Sequence, residues 1–182
     1  MARARDPRKP APSGTPDPIR KPFLSFFYFI QMEGGFFISH ISGISLSTIA
    51  HSTEDVSKVE TAMKNLLPES VRSSLPITIS EARGHHGNPI SVLSLEIHDR
   101  DASKETADYI LRLIPAGDKM RIRDRMDLYY DGRSSIFLRL DKQSAFQRSP
   151  RLSESDDVIR IRIASQGGKG SLSTMLKLFE LE

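Results

Sequence analysis

No cysteine occurs among the 182 residues, which excludes disulfides, thiolate zinc sites and cysteine nucleophiles. That composition is compatible with a reducing compartment, and a cytoplasmic location is the expectation. Apolar side chains are nearly missing from residues 1–22, which hold six of the eleven prolines. Such a segment cannot bury enough surface to offset chain entropy and reads as a disordered, basic, Pro-rich tail. The aromatic run Phe23-Leu24-Ser25-Phe26-Phe27-Tyr28-Phe29-Ile30 has no small-residue cleavage site after it, and Glu33-Gly34-Gly35 interrupts it before bilayer length. No membrane association is therefore expected of it. Residues 23–40 read as an apolar extension, and translation starting at Met32 would leave residues 1–31 outside the evolved domain. The chain shows no internal repeat.

Charge is spread unevenly. Residues 1–22 carry six bases and two acids, leaving 20 bases and 21 acids in the remainder. The basic isoelectric point thus belongs to the tail. Within the body, Lys119 to Arg151 holds nine bases and four acids, a candidate anion-facing patch. The basic run from Lys119 to Arg125 has its charges spread around a helix axis, so most of them are expected to be solvated.

The domain proper spans residues 41–166. Ile44, Leu46 and Thr48 alternate with Ser45 and Ser47, a strand pattern. Ser52-Thr53-Glu54-Asp55 supplies an N-cap and early acids to a helix. In it Val56, Val59, Met63 and Leu66 recur until Pro68. Ile77–Ser80 and Ile90–Ile97 read as two strands joined by the Gly84–Pro89 loop, and this spacing predicts a hairpin. Asp99-Arg100-Asp101 opens a helix with the stripe Ala107, Ile110, Leu111 and Ile114, ending at Pro115. A shorter helix from about Gly117 to Leu128 carries Met120 and Met126. After the Asp131-Gly132 turn come the strands Ile136–Leu140 and Val158–Ile163. Gly167-Gly168 opens an amphipathic C-terminal segment, residues 167–182, with Leu172, Met175, Leu176 and Phe179.

Regular βαβ alternation is missing, which argues against a dinucleotide fold. The expected class is α+β: a mostly antiparallel or mixed sheet with helices packed on one face, a two-layer sandwich with the other face wet. Period-two alternation then turns Ile136, Leu138, Leu140, Ile159, Ile161 and Ile163 inward. Phe137, Arg139, Val158, Arg160 and Arg162 face outward. Guanidinium groups and an aromatic ring on an open sheet suit phosphates and unstacked bases, although arginines also fill the solvent face of any amphipathic strand.

Two polar clusters stand out. Gly84-His85-His86-Gly87-Asn88-Pro89 combines an unusual backbone path with two imidazoles and a carboxamide. As a plain alternative it is a strand-connecting turn with solvated histidines. Asp141-Lys142-Gln143 ends another strand, where Lys142 could equally pair with Asp141 or cap a helix. The acid pairs Glu54-Asp55 and Asp156-Asp157 precede regular elements, so helix-start electrostatics and turns explain them at least as well as metal binding.

Three segments together carry a resemblance: Ala50-His51-Ser52-Thr53-Glu54-Asp55, Glu81 to Ile90, and Leu138-Arg139-Leu140-Asp141-Lys142-Gln143-Ser144-Ala145-Phe146 followed by Asp156-Asp157-Val158-Ile159. In this order the chain resembles the archaeal RNA-binding family described as a predicted exosome subunit, over roughly Ile44 to Ile163. The resemblance implies a fold similar to the large-subunit ribosomal protein that binds 5S ribosomal RNA, and an RNA-related role. Phe146 stands where the family's usual tyrosine falls, and Ser144 where a small alanine is more typical.

The leading expectation is a non-enzymatic RNA-binding protein of RNA processing or degradation, with RNA as partner and the exosome or other RNA-processing proteins as associates. Arg83, Arg139, Lys142, Arg160 and Arg162 would hold phosphates, while His85, His86, Asn88 and Gln143 would contact sugars or bases. No cofactor, metal or catalytic residue is expected. One alternative is a phosphodiesterase or nuclease using His85 and His86. Adjacent residues on an extended backbone point oppositely, however, and the pair lacks the i, i+4 spacing of a helical metal site. Another alternative is a protein-interaction module of an RNA-processing assembly.

Overall fold

The computed structural model describes residues 41–84 and 87–166. The tail over 1–22, the extension over 23–40, His85, His86 and the segment 167–182 lie outside the described residues. In chain order the elements are β1 (Ile41–Ala50), α1 (Val56–Lys64), α2 (Glu69–Ser74), β2 (Thr78–Arg83), β3 (Pro89–Ile97) and α3 (Arg100–Leu113). Then follow α4 (Ala116–Asp124), α5 (Met126–Tyr129), β4 (Ser135–Asp141), α6 (Lys142–Phe146) and β5 (Val158–Ser165).

The strands form one sheet in the order β2-β3-β1-β5-β4. Every pairing is antiparallel, so the sheet is not mixed, and β2 and β3 form the expected hairpin. Register explains the core. Leu138 lies opposite Ile161, Ile161 opposite Leu46, and Leu46 opposite Leu95, giving a buried apolar row across four strands. Each of the six helices adds to that same core cluster: Val59, Ala62 and Met63 from α1, Val71 from α2, Ala107, Ile110 and Leu111 from α3, Ile122 from α4, Met126 from α5 and Ala145 from α6. The helices therefore pack on the inward face, and the α+β expectation holds.

Three local readings change. Pro68 does not simply end a helix; it sits at the N-cap of α2, a six-residue helix whose one buried residue is Val71. The helix expected over Gly117–Leu128 breaks at Arg125, whose φ of −123° and ψ of 41° end α4 and begin α5. Asp141 caps a further short helix, its side chain accepting the Ser144 N–H at 2.7 Å. Strand β2 is an edge with all six residues exposed.

The opposite edge is covered. Tyr130 bridges to Ile136 and Leu152 to Leu140. The Asp141 N–H donates to Arg151 O and the Ser153 N–H to Arg139 O, which occupies backbone groups of β4 that an edge strand would leave bare. Before β4, Asp131 Oδ1 accepts the N–H groups of Arg133, Ser134 and Ser135. Gly132 supplies the φ of +75° that this turn needs.

Candidate nucleic-acid interface

The outward strand positions line up in rows across the sheet. Arg139 is opposite Arg160, Arg160 opposite Ser47, Ser47 opposite Ser94, and Ser94 opposite Thr78. In the next row Phe137 is opposite Arg162, Arg162 opposite Ser45, and Ser45 opposite Glu96. Arginines, hydroxyls and one 46% exposed phenyl ring thus share the face away from the helices. Alternation alone gives the serines and the threonine no functional mark. Val158 shares the outward register, opposite Asp141, but is only 3% exposed and adds nothing to the open surface.

The arginines differ in what they already hold. Arg139 Nη2 donates to Ser155 O and pairs with Asp156 Oδ1 at 3.3 Å, so this guanidinium fastens the loop that enters β5. Arg162 Nε donates to Ser135 Oγ at 3.2 Å, which fixes the guanidinium plane through one nitrogen. Arg160 is exposed and has no ion pair among the described residues.

Lys142 does not present its ammonium to solvent. Its side chain is 6% exposed, and Nζ donates to Ile49 O and to both Glu54 oxygens at 2.8 Å, and pairs with Asp157 Oδ1. Its expected role as a phosphate contact is replaced by a structural one, and neither the Asp141 pairing nor the helix cap describes it. Glu54 and Asp157 likewise serve this ammonium, while Asp55 alone acts as the α1 N-cap. His51, Glu54 and Asp157 bring ligand-type atoms within 4.8 Å of one another, and the Lys142 ammonium supplies the positive charge among them. Burial works to raise the Glu54 carboxyl, but the His51 N–H bond and the Lys142 bond and charge outweigh it and hold it below the usual carboxylate range.

The remaining candidates sit at one end of the sheet. Strand β1 ends with Ala50 opposite Ser91, so the β2–β3 tip lies at the same end as the Asp141-Lys142-Gln143 corner. Three strand spacings, about 14 Å, separate β3 from β4. At the tip, the Gly84 N–H donates to Asn88 O and the Gly87 N–H to Gly84 O, with Gly87 at a φ of +77°. Asn88, Arg83 and Gln143 are exposed. Arg83 is opposite Pro89 and shares the parity of Ser91 and Leu93, which places it on the helix side, apart from Arg160 and Arg162.

A model of the RNA-binding family matches residues 43–165. RNA-binding protein PAB1135 of Pyrococcus abyssi is 30% identical over 121 residues, covering 66% of this chain and 79% of that protein. An uncharacterized protein of Methanocaldococcus jannaschii, MJ0213, is 33% identical over 122 residues, covering 66% and 81%. Among solved structures, a DUF54 protein of Sulfolobus solfataricus matches with a TM-score of 0.62 at 27% identity, over 75% of this chain and 93% of its own.

Proposed function

We propose that this chain, which belongs to the RNA-binding family, holds single-stranded RNA on the open face of its sheet without acting on it chemically. The observation that carries this reading is the pair Arg160 and Arg162, two residues apart on β5 and turned outward, with Phe137 opposite Arg162. Guanidinium groups meet phosphates and the ring offers a stacking surface. The neighbouring Ser45, Ser47, Ser94 and Thr78 hydroxyls both donate and accept, as sugar 2′-hydroxyls require. Among the described residues, neither Ser45 nor Ser47 is hydrogen-bonded to a base that would make it a nucleophile. Asn88 and Gln143 are exposed at the hairpin-tip end of the sheet, and His85 and His86 stand close to Asn88 in sequence.

A gel-shift titration with a short oligouridylate at low salt tests this. Arg160→Ala/Arg162→Ala should weaken binding by about tenfold or more; unchanged affinity removes the open face as the site. A nuclease assay with and without divalent ions runs beside it. Cleavage that is lost in His85→Ala/His86→Ala would replace the binding reading with an enzymatic one. The proposed setting is RNA processing, with exosome association tested by co-purification after RNA digestion.

A further inference from the structure

At the end of the open face away from the hairpin tip, the surface dips into a cavity of about 290 Å³ whose lining includes Ser45, Gly43, Glu96, His98, Arg162 and Ala164. Its cause is legible in the register. The row beyond Phe137, Arg162 and Ser45 consists of Ser135 opposite Ala164 and Ala164 opposite Gly43. Small side chains there leave a hollow below the large ones. Gly43 also adjoins the register shift in the β1–β5 pairing, and a Cβ at that position would come within 3.3 Å of Ile97 O. A side chain at this position would crowd that carbonyl.

The walls carry complementary chemistry. Arg162 and Glu96 flank Ser45 from β5 and β3, so two strand spacings, about 10 Å, separate their backbones. Arg162 is steadied through Nε by Ser135, and its two terminal nitrogens have no hydrogen-bond partner among the described residues. Glu96 Oε2 lies 3.3 Å from His98 Nε2, both side chains exposed at the rim. A carboxylate on a phosphate-binding face repels phosphate, so its value there lies in meeting a hydrogen-bond donor.

We propose that this cavity receives a single unstacked guanine base, with Glu96 accepting from its N1–H and N2 amino group and Arg162 donating to its O6 and N7. The proposal rests on the RNA-binding reading above. Guanine alone among the four RNA bases sets two donors side by side to match both carboxylate oxygens, with acceptors along the adjoining edge. Ligand pockets start at about 300 Å³, so this one suits one base. Phe137 lies opposite Arg162 on β4, one strand beyond the lining.

The test uses the full-length protein and three oligoribonucleotides: an oligouridylate, the same strand with one central guanosine, and the same strand with inosine there. Guanosine should raise affinity about tenfold over uridine. Inosine, which lacks the 2-amino group, should lose most of that gain. Glu96→Gln should bring the guanosine-to-uridine ratio towards one; the ratio is the readout, because removing a negative charge strengthens binding to every strand. Equal affinity for the guanosine and uridine strands overturns the guanine site while leaving RNA binding intact. A full ratio retained in Glu96→Gln overturns it as well. Failure of all three strands to bind at low salt overturns both readings.

Discussion

Lys142 Nζ lies 2.8 Å from both carboxylate oxygens of Glu54, 88 residues earlier in the chain. The same ammonium reaches Ile49 O and Asp157. One side chain thereby ties together the end of β1, the approach to α1, the start of α6 and the entry to β5. Removing a lysine from water is costly, and the cost is offset here by three protein partners that replace its hydration.

Lys142→Met should therefore destabilise the protein by about 1–3 kcal/mol, since it leaves Ile49 O without its donor and a half-buried carboxylate without its ammonium partner. Urea denaturation measures this. The affinity of the folded variant for oligouridylate should stay within about twofold of native, because a buried lysine contributes no phosphate contact. A tenfold loss of affinity with unchanged stability would restore Lys142 to the interface.

Acid should weaken the fold through three carboxylates held below their ordinary values. Burial pushes Glu54 up, but its His51 and Lys142 bonds prevail. The Ser57 hydroxyl is the leading cause for Asp55, and the Ser135 N–H for Asp131. A carboxyl depressed in the folded state stabilises fully above its unfolded value and loses that contribution as pH falls through the folded value. The urea midpoint should stay level from neutral pH to about 5.5 and fall below about 4.5. Glu54→Gln should show a shallower fall; an identical pH profile would reject its assigned share.

The salt dependence of RNA binding separates the arginines. Arg160→Ala should reduce the slope of log affinity against log salt by about 0.7, the value of one phosphate contact on a single strand. Arg139→Ala should change that slope less, because its guanidinium already holds Ser155 O and Asp156. Titrations at several salt concentrations compare the two directly, and a larger slope change for Arg139 would reverse their roles.

Core and edge should respond very differently to truncation. Leu46→Ala removes the centre of the four-strand apolar row, 1% exposed, and should cost about 2–5 kcal/mol. Ile79→Ala on the exposed edge strand should stay within about 0.5 kcal/mol. Equilibrium unfolding of both variants checks the contrast.

The long periodic segments were legible in the sequence. Leu93, Leu95 and Ile97 in β3, and Ala107, Ile110, Leu111 and Ile114 before Pro115, repeat often enough to fix both element and buried face. The short helices α2 and α6 were not, because five or six residues hold too little periodicity to distinguish a turn from a helix. Alternation told which way Arg160 and Arg162 point, since neighbouring isoleucines pin the register. It could not reveal that Lys142 is buried: Asp141-Lys142-Gln143 reads as a polar strand end, while the partners that bury the ammonium lie far away in the chain. Nor could Thr78–Arg83 announce its edge position, which depends on the order of all five strands.

The loop stitched along β4 and the bare flank of β2 give the sheet a built-in growth polarity. Among the described residues, an added strand from any peptide or neighbouring molecule finds an open backbone ladder along Thr78–Arg83, while β4 is already engaged by Tyr130, Arg151, Leu152 and Ser153.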